Sequence, residues 1–595
     1  MEAATNSRRS TVYSTKGIVS STQPLANAAG IRILEKGGNC VDACVAISAC
    51  LAVLEPASTG IGGDCFALFY NAREKKVHGI NGCGRSAAEL SIDWLKKNYP
   101  DEIQPNHRLK AYSVFKVTVP GAIAGWVDSI EKWGSGKVNL AEILEPAIDL
   151  CENGYVVSQI SAHLWTSGEQ KLLRENKKDK NLELFLPNDS ISKAPMKGQF
   201  MLNPDLAKTL KLISQHGKDG FYKGVVADAI VKELGKRNHV LSKEDLQNHV
   251  STFVDPINYE FLDHKLWEIP PNGSGIIALM ALGLIKNLDK SGAIKLADLK
   301  HNSAEYLHLI IECLKISFKE SEEYVSDYDH YKAKTGVDHN SIVDTILGDK
   351  YLSGRASEFK KDDVIENSKL VIPNPMFKSD TVYFTASDSE GNACSFINSL
   401  YEGFGSGIIV PDYGFVLQNR GGNFSLNPKA KNSLEGGKRP YHTIIPGMIT
   451  KPNSQSGDEE LYASYGIMGG YNQPQAHVQV YLNMLLFGMD PQEALDAPRI
   501  SLFAHPEMKH TDKGHGADGP ASNDVTCIGI ETGIDIAVVE GLKKLGHSVQ
   551  VISGNGRKLF GRGQIIRKES GPDSMHLVYA GGSDLRGDGA SVPLV

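Results

Sequence analysis

Thr381 and Ser399 stand near opposite ends of DTVYFTASDSEGNACSFINS, residues 380 to 399. The turn cluster Asp388-Ser-Glu-Gly-Asn392 lies between runs carrying valine, tyrosine, phenylalanine and cysteine, which predicts a β-hairpin. Pairing 388 with 393 sets Thr381 opposite Leu400 and beside Ser399. Two hydroxyls so placed suit a nucleophile and a group that orients its base. If the Asp380–Thr381 bond is cut, Thr381 owns both a hydroxyl and a free α-amine. An α-amine with an unperturbed pKa near ~8 takes the hydroxyl proton at neutral pH. With the bond intact, the hydroxyl needs another base. A β-branched residue also suits a strand for packing reasons alone. The residues by themselves leave both readings open.

The elements around this stretch change character along the chain. Thr22–Lys36 has helical periodicity ending at Gly37–Gly38, a C-cap signal, and a second helix over Val41–Leu54 stops at Pro56. STGIGGDCFALFY then reads as a glycine turn feeding a strand that continues past Val77. From Leu90 to about Lys361 the pattern is mostly helical, broken at Val119-Pro-Gly-Ala122 and Pro270-Pro-Asn-Gly-Ser-Gly275, and Tyr306–Val325 reads as one long amphipathic helix. After Asp380 come short strands and turns, with a helix over Gln475–Leu486. The boundary falls in the polar stretch Lys369–Lys378. Helices upstream and strands downstream suggest helical layers packed on sheets.

Composition excludes several classes. With 595 residues, 41% hydrophobic and a net charge of −7, the chain buries a large core and lacks the basic face that nucleic acid requires. Its N-terminus carries Arg8 and Arg9 with no apolar run behind them, so no secretory signal is expected. The apolar stretches Cys40–Leu54 and Gly275–Ile285 are shorter than the roughly 20 residues a membrane span needs. Nine cysteines, an odd count in apolar settings, point to reduced thiols and a cytoplasmic location.

Other motifs fail on chemistry. Gly134-Ser-Gly-Lys137 lacks the hydroxyl residue of a P-loop, since Val138 follows the lysine. Gly60-Ile-Gly-Gly63 follows a helix, with Cys65 in the last glycine slot of a dinucleotide fingerprint. No serine has the flanking glycines of a nucleophile elbow. His505, His510 and His515 with Asp512 form the best metal candidate, and their spacing in a polar loop is weak support for one. No metal and no organic cofactor is expected.

The chain resembles the γ-glutamyltransferase (glutathione hydrolase) family of N-terminal nucleophile hydrolases, and within it the acylase-like branch. EPASTGIGGDCFALFY, NGCGRSAAEL, VPGAIAGW, GFYKG, DTVYFTASDSEGNACSFINS, GFGSGI, LQNRGGNF, GKRPYHTIIP, GIMGGYNQPQAH and GGSDLRGDG carry the resemblance in order, from about Gly17 to Ala590. It implies an α+β fold, the four-layer αββα sandwich, autoprocessed before Thr381 into a large subunit of 1–380 and a small one of 381–595 that stay together as a heterodimer. The cleavage site is then Asp380–Thr381. Thr381 forms the acyl-enzyme, Ser399 stands beside it, and Gly469 and Gly470 supply backbone N–H groups to the oxyanion. Arg85 matches the arginine that binds the substrate carboxylate. The implied substrates are small-molecule amides, by default glutathione and other γ-glutamyl amides.

Departures gather at the substrate end. The acid that meets the substrate α-amine is Asn423, the neighbouring glutamine is Arg420, two carboxylate-contacting serines are His442 and Thr443, and an asparagine is Tyr401. A pocket holding Arg85 and Arg420 favours an anionic acyl group without an amine, of glutaryl or oxamate type. Losing one charge-assisted contact changes selectivity some ten- to hundredfold. The loop from Phe424 to Lys438 is shorter than in lidded relatives, which favours hydrolysis over acyl transfer. An unprocessed, inactive scaffold is the reading from another class.

Overall fold

The computed structural model describes residues 9–176, 180–187, 193–336, 340–365, 380–453, 456–506, 524–569 and 576–595. The expected boundary at Lys369–Lys378 lies outside these residues, as do His510, Asp512, His515 and the side chain of His505.

Two seven-stranded antiparallel sheets dominate. The first runs through Ala590–Pro593, Ile18–Ser21, Asp380–Ser387, Ala393–Tyr401, Asp64–Asn71, Lys76–Gly82 and Thr252–Val254. The second runs through Val12–Ser14, Val578–Ser583, Arg562–Glu569, Glu459–Met468, Gly447–Pro452, His264–Glu268 and Ile257–Phe261. Three of these strands, between Thr252 and Glu268, fall where a mostly helical pattern is expected. They are short and half-buried, so the two-residue alternation that marks a strand is barely written into them.

Every residue of the central hairpin strands is buried, because both faces are covered and side chains alternate between them. Val382, Phe384 and Phe396 join a core with the helices over Pro24–Glu35, Cys40–Leu54 and Leu140–Asn153. Tyr383 and Ile397 point the other way, into a core with Met448 and Ile566 of the second sheet. The second sheet's remaining face packs Ala463, Ile467 and Ile565 against helices over Ile276–Lys290, Ala304–Tyr324 and Gln473–Leu485. The helix Cys40–Leu54 has no exposed residue, and its start is fixed by a capping box of Asn39 and Asp42.

The hairpin register differs from expectation by one residue. Ser387 pairs with Ala393 and Val382 with Asn398, because the Asp388 carboxylate closes the turn from inside by accepting the Glu390 and Asn392 amides. A bulge between Asp380 and Val382 shifts the pairing again, so that Asp380 meets Tyr401. Tyr401 absorbs the bend with φ of +79°, a conformation side chains rarely adopt. Thr381 therefore lies at a bulge, where ladder pairing is interrupted and a side chain is re-aimed.

Candidate active site

Thr381 is 1% exposed and Ser399 fully buried. The Thr381 hydroxyl donates to the Asp380 carbonyl oxygen at 2.7 Å and lies 2.9 Å from Ser399 Oγ. Ser399 Oγ is also 3.3 Å from that carbonyl oxygen. In the continuous chain Ser399 thus meets the Thr381 hydroxyl, whereas the Thr381 N–H donates to Asp380 Oδ1 at 3.2 Å. Asp380 is held by Arg562, whose Nη2 reaches Oδ1 at 3.3 Å while Nη1 donates to Glu55 Oε2 at 3.0 Å. Burial raises the Asp380 carboxyl above its ordinary value, and Arg562 opposes that shift. Neither Arg562 nor Glu55 stands out in the sequence. The available signal was a charged residue inside an otherwise apolar or glycine-rich stretch, Glu55 after the buried helix and Arg562 between Gly561 and Gly563.

Behind Ser399 lies a buried charged cluster. Arg420 is fully buried; its Nη2 donates to Ser399 Oγ at 3.0 Å and its Nη1 to Thr443 Oγ1 at 2.7 Å. The guanidinium lies 4.5 Å above the Tyr401 ring. Its Nε has no acceptor among the described residues. Asp64 supplies the counter-charge. Its Oδ1 accepts from the amides of Gly84 and Gly121 and from Gln418 Nε2, and its Oδ2 from His442 Nε2 at 3.1 Å. The Ile444 amide donates to His442 Nδ1 at 3.3 Å, so the imidazole is the neutral tautomer protonated at Nε2. Burial first, then Arg420, push His442 down to about 3. Burial works against the Asp64 charge, yet the contacts from His442, Arg420 and Gly84 outweigh it and hold the carboxyl below its usual range.

The other expected residues lie at varied distances from this centre. Asn423 donates through Nδ2 to Tyr441 O at 3.0 Å and accepts from Tyr471 OH at 3.4 Å. Asn423, Tyr441 and Tyr471 line a pocket of about 460 Å³ that also takes in Arg108, Glu322 and Lys431. The short loop after Phe424 folds back on itself, pinned by Lys438 Nζ on Lys431 O and Ser433 O. Arg85 donates to Val250 O at 3.4 Å and faces Arg439, and among the described residues no hydrogen bond joins it to the Thr381 cluster. Gly469 and Gly470 follow the strand residue Met468, which pairs with Arg562. Their φ values of +141° and +57° suit glycine. The Gly469 N–H finds no acceptor among the described residues.

Two buried groups of metal-ligating types occur among the described residues, Asp64–Cys83–His442 and His308–Glu312–His547. Each has a cation close by: Arg420 for the first, and Lys315, donating to Glu312 at 2.7 Å, for the second. Their ligand atoms are largely committed to N–H donors, so neither presents an open set.

The family model described as Gamma-glutamyltranspeptidase matches residues 26–594. The glutathione hydrolase-like YwrD proenzyme of Bacillus subtilis is 32% identical, over 98% of this chain and 99% of that protein. The oxamate amidohydrolase proenzyme of Klebsiella pneumoniae is 28% identical, over 97% of this chain and 98% of that one. The crystal structure of cephalosporin acylase from Bacillus halodurans superposes with a TM-score of 0.81 at 34% identity, covering 99% of this chain and 97% of that one.

Proposed function

The chain belongs to the gamma-glutamyltranspeptidase family, and from that premise we propose that it is a proenzyme that cuts its own Asp380–Thr381 bond and then hydrolyses amides through Thr381. It is an enzyme of the amide-hydrolase kind, as its relatives are. The observation that carries the reading is the Thr381 hydroxyl, 2.7 Å from the carbonyl oxygen of its own peptide bond and 2.9 Å from Ser399 Oγ. Three successive cores, helices on sheet, sheet on sheet and sheet on helices, support the αββα sandwich with subunits 1–380 and 381–595.

In self-cleavage, Thr381 Oγ adds to the Asp380 carbonyl carbon. The C–N bond breaks, the hydroxyl proton passes to the departing nitrogen, and an ester remains. Water hydrolyses that ester, leaving an Asp380 carboxylate and a Thr381 bearing hydroxyl and α-amine. In turnover the amine takes the hydroxyl proton, Thr381 Oγ attacks the substrate carbonyl, and the protonated amine returns its proton to the leaving nitrogen. Backbone N–H groups at Gly469 and Gly470 receive the oxyanion, a role supported by the Gly469 amide, which has no acceptor among the described residues. Water then frees the acid. A compact Phe424–Lys438 loop leaves the acyl-enzyme open to water, so hydrolysis outruns transfer; a dipeptide acceptor at millimolar concentration that captured most of the acyl group would remove this point.

Glutathione and other γ-glutamyl amides are the substrates that the names of several relatives suggest. A second reading, an acyl group bearing a carboxylate and no α-amine, is favoured by the buried Nε of Arg420, which has no acceptor among the described residues, and by a neutral Asn423 engaged with Tyr441 and Tyr471. The oxamate and cephalosporin enzymes among the relatives are consistent with it. Comparing γ-glutamyl with glutaryl p-nitroanilide on the purified protein separates the two. Faster turnover of the glutaryl compound selects the second, faster turnover of the γ-glutamyl compound the first. Failure to turn over either, in a single uncut band, leaves the scaffold.

A further inference from the structure

We propose that Arg420, buried against Ser399 and Thr443, is a positioning residue for self-cleavage, because it forces Ser399 to act as a hydrogen-bond donor toward the bond that is cut. This rests on the reading of Asp380–Thr381 as that bond.

A serine hydroxyl has one proton and two lone pairs. Both lone pairs of Ser399 are taken by N–H groups, Arg420 Nη2 at 3.0 Å and the Tyr401 amide at 2.8 Å. Neither donor can reverse its role, since guanidinium and amide N–H groups do not accept. The Ser399 proton must therefore go to Thr381 Oγ1 at 2.9 Å or to the Asp380 carbonyl oxygen at 3.3 Å. Thr381 Oγ1 lies 2.7 Å from that carbonyl oxygen, which only accepts, so Thr381 donates there. The chain has one direction: Arg420 to Ser399 to Thr381 to the Asp380 carbonyl. A cation at its head polarises each following donor.

That direction matters when Thr381 Oγ adds to the Asp380 carbon. The C=O pair moves onto the carbonyl oxygen, and the Thr381 proton leaves for the peptide nitrogen as the C–N bond opens. Ser399, whose proton is already committed to this end of the chain, turns it onto the new oxyanion 3.3 Å away. Without Arg420 a lone pair on Ser399 falls free, Ser399 accepts from Thr381, and the oxyanion loses its donor. Asp64 makes the buried guanidinium tolerable. Four N–H contacts, from Gly84, Gly121, Gln418 and His442, fix that carboxylate in place.

The test follows cleavage of the full-length chain made by cell-free translation, as the fraction cut against time on a denaturing gel. Arg420→Met, which has no N–H donor, should slow cutting about ten- to hundredfold, and Arg420→Lys, which keeps a cationic donor, should recover part of that loss. Because Arg420 acts through the Ser399 hydroxyl, adding Arg420→Met to Ser399→Ala should slow cutting no further than Ser399→Ala alone. Cutting by Arg420→Met within about twofold of the parent, or a double variant whose loss is the product of the two single losses, overturns the proposal. If circular dichroism finds Arg420→Met misfolded, Arg420→Lys against Arg420→Gln decides: both keep an N–H donor, only lysine keeps the charge and cannot turn an acceptor toward Ser399, so Arg420→Lys should be cut faster, and equal rates overturn the proposal. A parent chain that is never cut sinks the cleavage reading itself, an outcome distinct from a parent that is cut as fast as Arg420→Met.

Discussion

Before cleavage the hydroxyl of Thr381 is closed off from solvent and bonded to the carbonyl it would attack. The residue before it is equally constrained, since Arg562 bridges Asp380 and Glu55 across the two sheets. With Thr381 buried in this way, the proposed mechanism requires the Asp380 end to move away, and so the bond to be cut, before an amide substrate is turned over. Thr381→Ala removes the attacking oxygen and leaves the surrounding hydrogen bonds of Ser399 to Arg420 and Tyr401 in place. The variant should fold, remain one full-length band and turn over no amide, while Thr381→Ser, which keeps the oxygen, should still give two bands. A denaturing gel reads both. Two bands from Thr381→Ala would take the nucleophile's role away from this residue. The pairing of Thr381 with Ser399 was legible in the sequence as two hydroxyls across a hairpin. The charged cluster behind them was not, because Asp64 and Arg420 are distant along the chain and meet only when the first sheet forms.

At the scale of elements, the helix Ala304–Tyr324 is tied to the end of the helix Ile536–Lys544 by a buried histidine pair. His308 donates through Nε2 to Lys360 O at 2.8 Å, so its Nδ1 accepts from His547 Nε2, also at 2.8 Å. That leaves His547 Nδ1 without a hydrogen bond among the described residues. Glu312 Oε1 lies 3.9 Å from it, but that oxygen already takes the Lys315 ammonium at 2.7 Å, so protonating Nδ1 adds a second buried cation beside Lys315. Burial first, then Lys315 and His308, push His547 down to about 3, against about 6.5 for the unfolded chain. The unfolded state therefore takes up a proton below about pH 6.5 that the folded state refuses. This contribution leaves stability whole above pH 6.5 and erodes it as pH falls toward 3, by up to about 1.4 kcal/mol per unit. His547→Gln can still donate to His308 and no longer titrates. Urea midpoints at about pH 6.5 and 5 should show it losing up to about 2 kcal/mol less than the parent. Equal losses in the two proteins would mean that His547 charges freely in the fold. The long helices were readable from their periodicity and caps, within two residues for Cys40–Leu54 and Ala304–Tyr324. The histidine pin between Ala304–Tyr324 and the end of Ile536–Lys544 was not, since it depends on which face each histidine presents.

Across the whole molecule, most of the helices described lie upstream of residue 380 and most of the strand residues downstream, but the sheets do not divide there. Strands from both sides of residue 380 alternate in them: Ile18–Ser21 sits between Asp380–Ser387 and Ala590–Pro593. Asp64–Asn71 pairs with Ala393–Tyr401, His264–Glu268 with Gly447–Pro452, and Val12–Ser14 with Val578–Ser583. Composition and local periodicity say nothing about such long-range partners, which is why the interleaving escapes a reading along the chain. Its consequence concerns the products of cleavage. Separating 1–380 from 381–595 would open every one of these ladders and expose unpaired backbone groups in the middle of both sheets. It would also expose apolar faces such as Phe396 and Val382, which lie in the core built with the upstream helices. Cutting one peptide bond changes none of these contacts. The two fragments should therefore elute together as a single species in native gel filtration and part only in denaturant. A small fragment that eluted by itself under native conditions would contradict the shared sheets, because strands on both sides of 380 could then not be holding one another.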